Sequence, residues 1–301
     1  MKLRRFPENP IIRPNMDARM GDNINGPSLI RVPDWIENPL GQYYLYFAHH
    51  QGTYIRLAYA DRQEGPYTTY EPGTLQLEQT PAQRHIASPD LHIDKQNQRL
   101  IMYYHGPVDT SKVTLPDSLS DGTPLRGGQR NYVATSTDGI HFTSGFEILG
   151  SPYFRVFHWG GYTYALGMPG VFFRSKNGFT DFERGPTLYS KDMRHTAVKL
   201  DGDTLSVFFS QAHDCPEHIL MSQIELTPDW MNWLASEAVS VLKPETECEG
   251  ADCPIAPSER GSIHEPVCQL RDPGIYREGD KTYLLYSVAG ERGIGIAEII
   301  E

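Results

Sequence analysis

The chain has 301 residues, with 38 acidic against 27 basic side chains and a formal net charge of −11 at pH 7. Such an acidic balance argues against nucleic acid or an anionic membrane as the main partner, and no apolar run reaches the roughly 20 residues that a membrane helix needs. Aromatic residues (17 Tyr, 12 Phe, 4 Trp) and turn formers (27 Gly, 23 Pro) are abundant, which suits many short strands joined by turns better than long helices.

The N-terminal stretch MKLRRFPENPIIRPNM has the positive charges of a signal peptide but no apolar core segment. The chain therefore reads as soluble and cytoplasmic as given, or as secreted or periplasmic where a leader has been removed. From Asn25 onward, one grammar recurs five times. A short strand, often opening with a proline, leads to a turn, then to an aromatic strand, then to a third strand. The units are NGPSLIRVPDW–GQYYLYFAHH–YIRLAYA, ASPDLHIDKQNQRLIMYYHG–RNYVATS, SPYFRVFHWGGYTYALGMPG–VFFRS, RHTAVKLDGDTLSVFFSQAHD–HILMSQIEL and QLRDPGIYREGDKTYLLYSVAG–RGIGIAEII. Pro27, Pro89, Pro152 and Pro273 mark four of the openings; the fourth unit, near Ala197, lacks one. TPDWMNWLASEAV (227–239) predicts a short helix outside the fourth unit. The loops 106–130 and 243–264 are expected to rise over one face, where binding elements concentrate. The four cysteines, Cys215, Cys248, Cys253 and Cys268, fit no zinc spacing and read as free thiols, with Cys248 and Cys253 close enough in sequence to bridge.

Five units of three or four antiparallel strands predict an all-β chain folded as a five-bladed β-propeller, a single domain over 1–301. The predicted blades cover 22–70, 85–145, 150–188, 192–226 and 265–301. The competing architecture is a β-sandwich, which five units in one order of elements disfavour. The aromatic residues of YYLYF and LIMYY are expected in the blade core.

In a propeller the openings of the innermost strands converge on the axis. Here they carry Asp22 and Asn25, Asp90, Arg155, His195, and Glu265, Arg271 and Asp272. His264 lies beside Glu265 in SIHEPVCQLRDPGIY, where charges press against an apolar run and need pairing or use. Several carboxylates with cations at one funnel suit glycoside hydrolysis, which needs one protonated carboxyl for the leaving oxygen and one ionised carboxylate to activate water or attack. Mutual repulsion and a nearby arginine split their pKa values. Each residue also has a plainer reading: Asp90 as a turn cap, Asp272 as a clamp for Arg271, Glu265 and His264 as solvated loop residues. His49, His50 and His105 end second strands and rim the pocket, bind a metal in the channel, or cap turns. Trp159 reads as turn packing or a sugar platform, and Glu217 and Glu249 as reserve acids.

The repeated units, the opening NPII…NGPSLI, the SPD of the second unit and the final RDPGIY…YLLYSVAGE resemble the five-bladed propeller glycoside hydrolases, the superfamily of families 43, 62, 32, 68, 117 and 130. The resemblance covers nearly the whole chain through short motifs. The likeness to family 43 implies an aspartate base in blade 1, an aspartate that tunes the pKa in blade 2 and a glutamate acid in blade 3. Asp90 matches the second. Blade 1 departs, reading Gly26-Pro27 after Asn25, so that Asp22 would substitute; blade 3 departs too, with Arg155 and no glutamate. The His264-Glu265 pair is similar to family 117, while the NDPNG of family 32 is missing.

The sequence thus predicts an exo-acting, inverting glycoside hydrolase on an oligosaccharide or polysaccharide fragment, with an acidic sugar suggested by the cationic side chains and an anhydro sugar implied by the resemblance to family 117. The catalytic candidates are Asp90, Glu265, His264, Asp272 and Asp22; the sugar-binding candidates are Asn25, His50, His105, Arg155, His195 and Arg271. No cofactor is expected to be required, a structural metal ion in the central channel is left open as an alternative, and no signal bears on oligomeric state. The alternatives are a carbohydrate-binding propeller without turnover, suggested by the carboxylates absent from blades 1 and 3, and a phosphorylase like family 130.

Overall fold

In the computed structural model, residues 1–113 and 128–300 are described. They form five four-stranded antiparallel sheets arranged as a five-bladed propeller. Blade 1 contains β2 (Asn25–Arg31), β3 (Tyr43–Ala48), β4 (Arg56–Ala60) and β5 (Thr68–Tyr70). Blade 2 contains β6 (Ala87–Asp94), β7 (Arg99–Pro107), β8 (Gln129–Ser136) and β9 (Thr143–Ser144). Blade 3 contains β10 (Arg155–Trp159), β11 (Tyr162–Gly167), β12 (Val171–Ser175) and β13 (Glu183–Thr187). Blade 4 contains β14 (Met193–Asp201), β15 (Thr204–Gln211), β16 (Ile219–Glu225) and β17 (Val239–Leu242). Blade 5 contains β18 (Arg271–Glu278), β19 (Lys281–Ser287) and β20 (Ile294–Ile300), and its outermost strand is β1 (Lys2–Arg5) from the other end of the chain.

The apolar residues of each central strand alternate between two neighbours, because successive side chains point to opposite faces of a sheet. On β3, Tyr44 and Tyr46 pack toward blade 2, whereas Tyr43, Leu45 and Phe47 pack toward blade 5. On β7, Tyr104 faces blade 1 and Tyr103 faces blade 3. Five apolar clusters result, one at each seam between blades. This explains why the second strands are apolar throughout rather than alternating: both faces are buried.

Two elements differ from the sequence expectation. Residues 227–239 form a single 3-10 turn, Trp230–Asn232, followed by β17, instead of a helix. Trp230 and Trp233 insert into the seam of blades 3 and 4, and this burial outweighs the local helical pattern. The ring of blades is closed by β1, which pairs with β20 from Lys2↔Ile300 to Arg5↔Ala297. There Arg5 Nε donates to Glu249 Oε1 at 2.7 Å, and Glu249, 1% exposed, also accepts from the Tyr286 hydroxyl at 2.9 Å. Glu249, one of the reserve acids, is thus a clamp that fastens the closing strand.

Candidate active site

Every inner strand opens on a break in its register. The pairing slips between Asn25 and Ser28, Ala87 and Asp90, Arg194 and Thr196, and Arg271 and Gly274. In blade 3 the same step lies between the Pro152–Met168 hydrogen bond and the Arg155↔Leu166 pair. At each step one residue adopts a left-handed backbone: Gly26 (φ 62°), Ser88 (49°), Tyr153 (63°), His195 (35°) and Asp272 (46°). Only one of the five is glycine. Each of the others costs on the order of 1–3 kcal/mol, and such strain, held by surrounding structure, concentrates at functional sites.

These five residues form a ring at the axis. The Asp272 Oδ1 and His195 Nδ1 atoms are 3.0 Å apart, and the Tyr153 ring lies 4.8 Å from that of His195 and 4.0 Å from that of His105. On the opposite side, a Cβ built on Gly26 would lie 3.0 Å from Ser88 Cα. The His195–Asp272 contact is close but not aligned as a hydrogen bond, and Asp272 Oδ2 has no partner among the described residues.

Asp272 in the ring and Glu291 beside it hold opposite protonation tendencies. Asp272, 2% exposed, is pushed up to about 7 by burial and by the charge of Glu291. Glu291 is fully buried, yet its pKa is lowered to about 2: burial opposes ionisation, and His50, the Asn23 amide and Arg271 overcome it. Asn23 Nδ2 donates to Glu291 Oε2 at 2.6 Å, Arg271 Nη1 donates to Oε1 at 3.2 Å, and His50 Nδ1 lies 3.4 Å from Oε1. Asn25 Nδ2 completes the set at 3.4 Å. His195 is held neutral by burial and by the nearby Arg194 and Arg271 charges. His105 is held neutral by burial and by His85 and His50. A third buried carboxylate, Glu217, accepts from Ser210 Oγ at 2.7 Å and lies 3.4 Å from Arg271 and 3.5 Å from Arg194. Splitting the tendencies of two neighbouring carboxyls in this way is what acid–base chemistry requires.

The remaining candidates lie elsewhere. Asp22 sits on the rim, its side chain 51% exposed and paired with Arg292 at 2.6 Å. His264 and Glu265 are exposed in the loop before β18, and the His264 carbonyl accepts from Arg292 at 3.1 Å. Asp90 and Arg155 face the channel beyond the ring, in a cavity of about 440 Å³ lined by all five inner strands. Asp90 Oδ2 accepts from the Val156 amide at 2.8 Å and lies 2.8 Å from His92 Nε2. Trp159 donates to Asp203 and packs near Trp233 in the seam of blades 3 and 4. Part of the loop 106–130, residues 114–127, lies outside the described residues. No group of three His, Cys, Asp or Glu side chains among the described residues is placed to hold a metal ion. No described helix is long and apolar enough to cross a membrane.

A protein of Acanthamoeba polyphaga mimivirus, the uncharacterized protein R118, is 33% identical over 332 residues, spanning 98% of this chain and 89% of its own. The chain belongs to the family of that mimivirus protein. No family model matches it. Among solved structures, a β-xylosidase/α-arabinofuranosidase of glycoside hydrolase family 43 from a compost microbial metagenome, in complex with xylotriose, superposes with a TM-score of 0.61. The match covers 99% of this chain and 96% of that one at 12% identity. A family 43 enzyme of Xanthomonas citri complexed with xylose gives 0.60 over 96% and 90% of the two chains at 11% identity. The fold of the R118 relative described here is therefore the five-bladed propeller of those glycoside hydrolases.

Sequence reasoning missed Glu291, Asn23, Tyr153 and Ser88. Glu291 had a signal: it lies in the hairpin between the second and third strands of its blade, as His50 and Glu217 do in theirs. Those hairpins all rise on the face where the inner strands begin.

Proposed function

We propose that the protein is a glycoside hydrolase that removes a terminal sugar from an oligosaccharide or polysaccharide fragment by an inverting route. The observation that carries this reading is Asp272: a buried carboxyl on a strained backbone at the propeller axis, beside a neutral histidine, with a pKa pushed up to about 7. Such a group keeps its proton near neutrality and can deliver it to a leaving glycosidic oxygen. Glu291, ionised and held by Asn23, Asn25, His50 and Arg271, supplies fixed negative charge toward a developing oxocarbenium ion. Asp22 and Glu265, on the rim, are the carboxylates open to water and the candidates for its activation. The axis is filled by His105, Tyr153, His195 and Asp272, which supports a blind funnel suited to a chain end.

The test is hydrolysis of a panel of xylo-, arabino-, galacto- and anhydrogalacto-oligosaccharides, with the anomer of the released sugar followed by NMR. Wild-type turnover that falls at least about 10²-fold in Asp272→Asn is expected for loss of a general acid, with the configuration inverted. Retention would refute the inverting step, and unchanged turnover in the variant would remove Asp272 from the chemistry. One feature favours a second reading, a sugar-binding propeller without turnover. Gly26 and Ser88 occupy the ring positions of blades 1 and 2, so neither blade offers a carboxylate there. Sugar binding without any release on the panel would support it.

A further inference from the structure

The cavity on the far side of the ring has a charge balance opposite to that of the whole protein. The formally charged residues lining it are Arg31, Arg155, Lys199 and Arg277 against Asp90 and Glu278, in a chain of net charge −11. Three of the four cations are matched at the mouth. Arg31 pairs with Glu278 at 2.8 Å, Arg277 pairs with Asp201 at 2.9 Å, and Lys199 also pairs with Asp201. Arg155 is different. It is 4% exposed, and only its Nη1 bonds to protein, donating to the carbonyls of Phe154 at 3.1 Å and Ser88 at 3.3 Å. Its Nε and Nη2 make no hydrogen bond among the described residues, and it belongs to no ion pair there. The nearby Asp90 feels its charge but makes no hydrogen bond to it, and its Oδ2 is held by His92 and the Val156 amide. The Nε and Nη2 donors of Arg155 face the open cavity, and a guanidinium withdrawn from bulk water favours an anion that accepts from them.

We infer that this cavity is a second binding site, separate from the ring, for a small oxyanion (phosphate, sulfate or a carboxylate) that accepts from the free Nε and Nη2 donors of Arg155. The fork of an arginine fits such groups in a bidentate manner. The cavity, at about 440 Å³, has room for the anion together with water or a small organic body. Because Nη1 of the same guanidinium holds the Ser88 carbonyl, occupation of the cavity also steadies one member of the ring above. The inference does not depend on glycosidase activity.

The experiment is titration of the full chain with sodium phosphate, sodium sulfate and sodium acetate, each against sodium chloride at equal ionic strength. Binding is read by calorimetry and by the shift in Tm. Saturable binding of at least one oxyanion is expected in the wild type, weakened at least about tenfold in Arg155→Met, as for loss of a charge-assisted bidentate contact. Asp90→Asn removes the lining carboxylate that is not paired with a cation at the mouth, so it should bind several-fold more tightly; this variant keeps the test informative if Arg155→Met fails to fold. Asp272→Asn, on the other side of the ring, should leave the affinity unchanged. The inference is overturned if no anion exceeds chloride at millimolar concentration, if Asp90→Asn weakens binding, or if Asp272→Asn abolishes it.

Discussion

The unusual protonation of Asp272 has a consequence for stability that Asp272→Asn isolates. In the unfolded chain an aspartic acid loses its proton near 3.8, whereas the folded protein holds that of Asp272 to about 7. Between these limits the folded state binds more protons than the unfolded state, so stability falls as pH rises. The loss approaches about 1.4 kcal/mol per pH unit and accumulates to an amount on the order of 4 kcal/mol by pH 7. Above the folded pKa it levels off. The neutral histidines oppose this: His195 and His105 are held well below 6.5, so they withdraw stability as pH falls below that value. The wild-type profile is a sum of opposing slopes, and only the difference from a variant separates them. The groups that hold His195 neutral are burial, Arg194, Arg271, His50 and His105, so its contribution largely cancels in the comparison. Urea unfolding of both proteins at intervals from pH 4 to 9 should show the variant gaining relative to the wild type from pH 4 to 7, then a plateau. A difference that is flat across that window, or that grows as pH falls, would refute the assignment of a raised pKa to Asp272.

Three further predictions concern the scaffold. Glu217→Ala removes the carboxylate beside two buried guanidiniums, Arg194 and Arg271, and should destabilise the fold by about 3–5 kcal/mol in urea unfolding. Arg5→Ala leaves Glu249 with its Tyr286 and backbone partners but without its buried cationic contact, and should cost about 1–3 kcal/mol. Limited proteolysis of that variant should release the N-terminal strand first. Gly274→Ala drives a Cβ to 2.5 Å from the Pro27 carbonyl between blades 5 and 1 and should lower stability by about 1–3 kcal/mol, read as a fall in Tm. A change in that variant no larger than in Gly145→Ala, whose backbone is not left-handed and whose Cβ meets nothing closer than the Val133 carbonyl at 3.3 Å, would refute the packing argument.

The blades were legible because their apolar aromatic strands repeat at turn-bounded intervals, and two-sided burial between neighbours demands such strands. The closing strand was not. Lys2–Arg5 reads KLRR, with one apolar residue, and its extended form comes from pairing with β20 and from Arg5 reaching Glu249. The site was legible in its convergence but not in its levels. SPD and RDP look alike, and both set an aspartate beside a proline at an inner-strand opening. Yet Asp272 precedes its proline and Asp90 follows Pro89. The register slip puts the residue before the proline in the left-handed conformation at the axis, and the residue after it one step along the strand. Ser88, not Asp90, therefore stands level with Asp272, while Asp90 stands level with Arg155 and Gly274 in the channel beyond. A two-residue offset thus places one aspartate in the ring and the other in the cavity beyond it. Turnover and anion affinity should accordingly respond to different variants, turnover to Asp272→Asn and anion affinity to Asp90→Asn. A loss of turnover in Asp90→Asn equal to that in Asp272→Asn would show that the two levels act as one site.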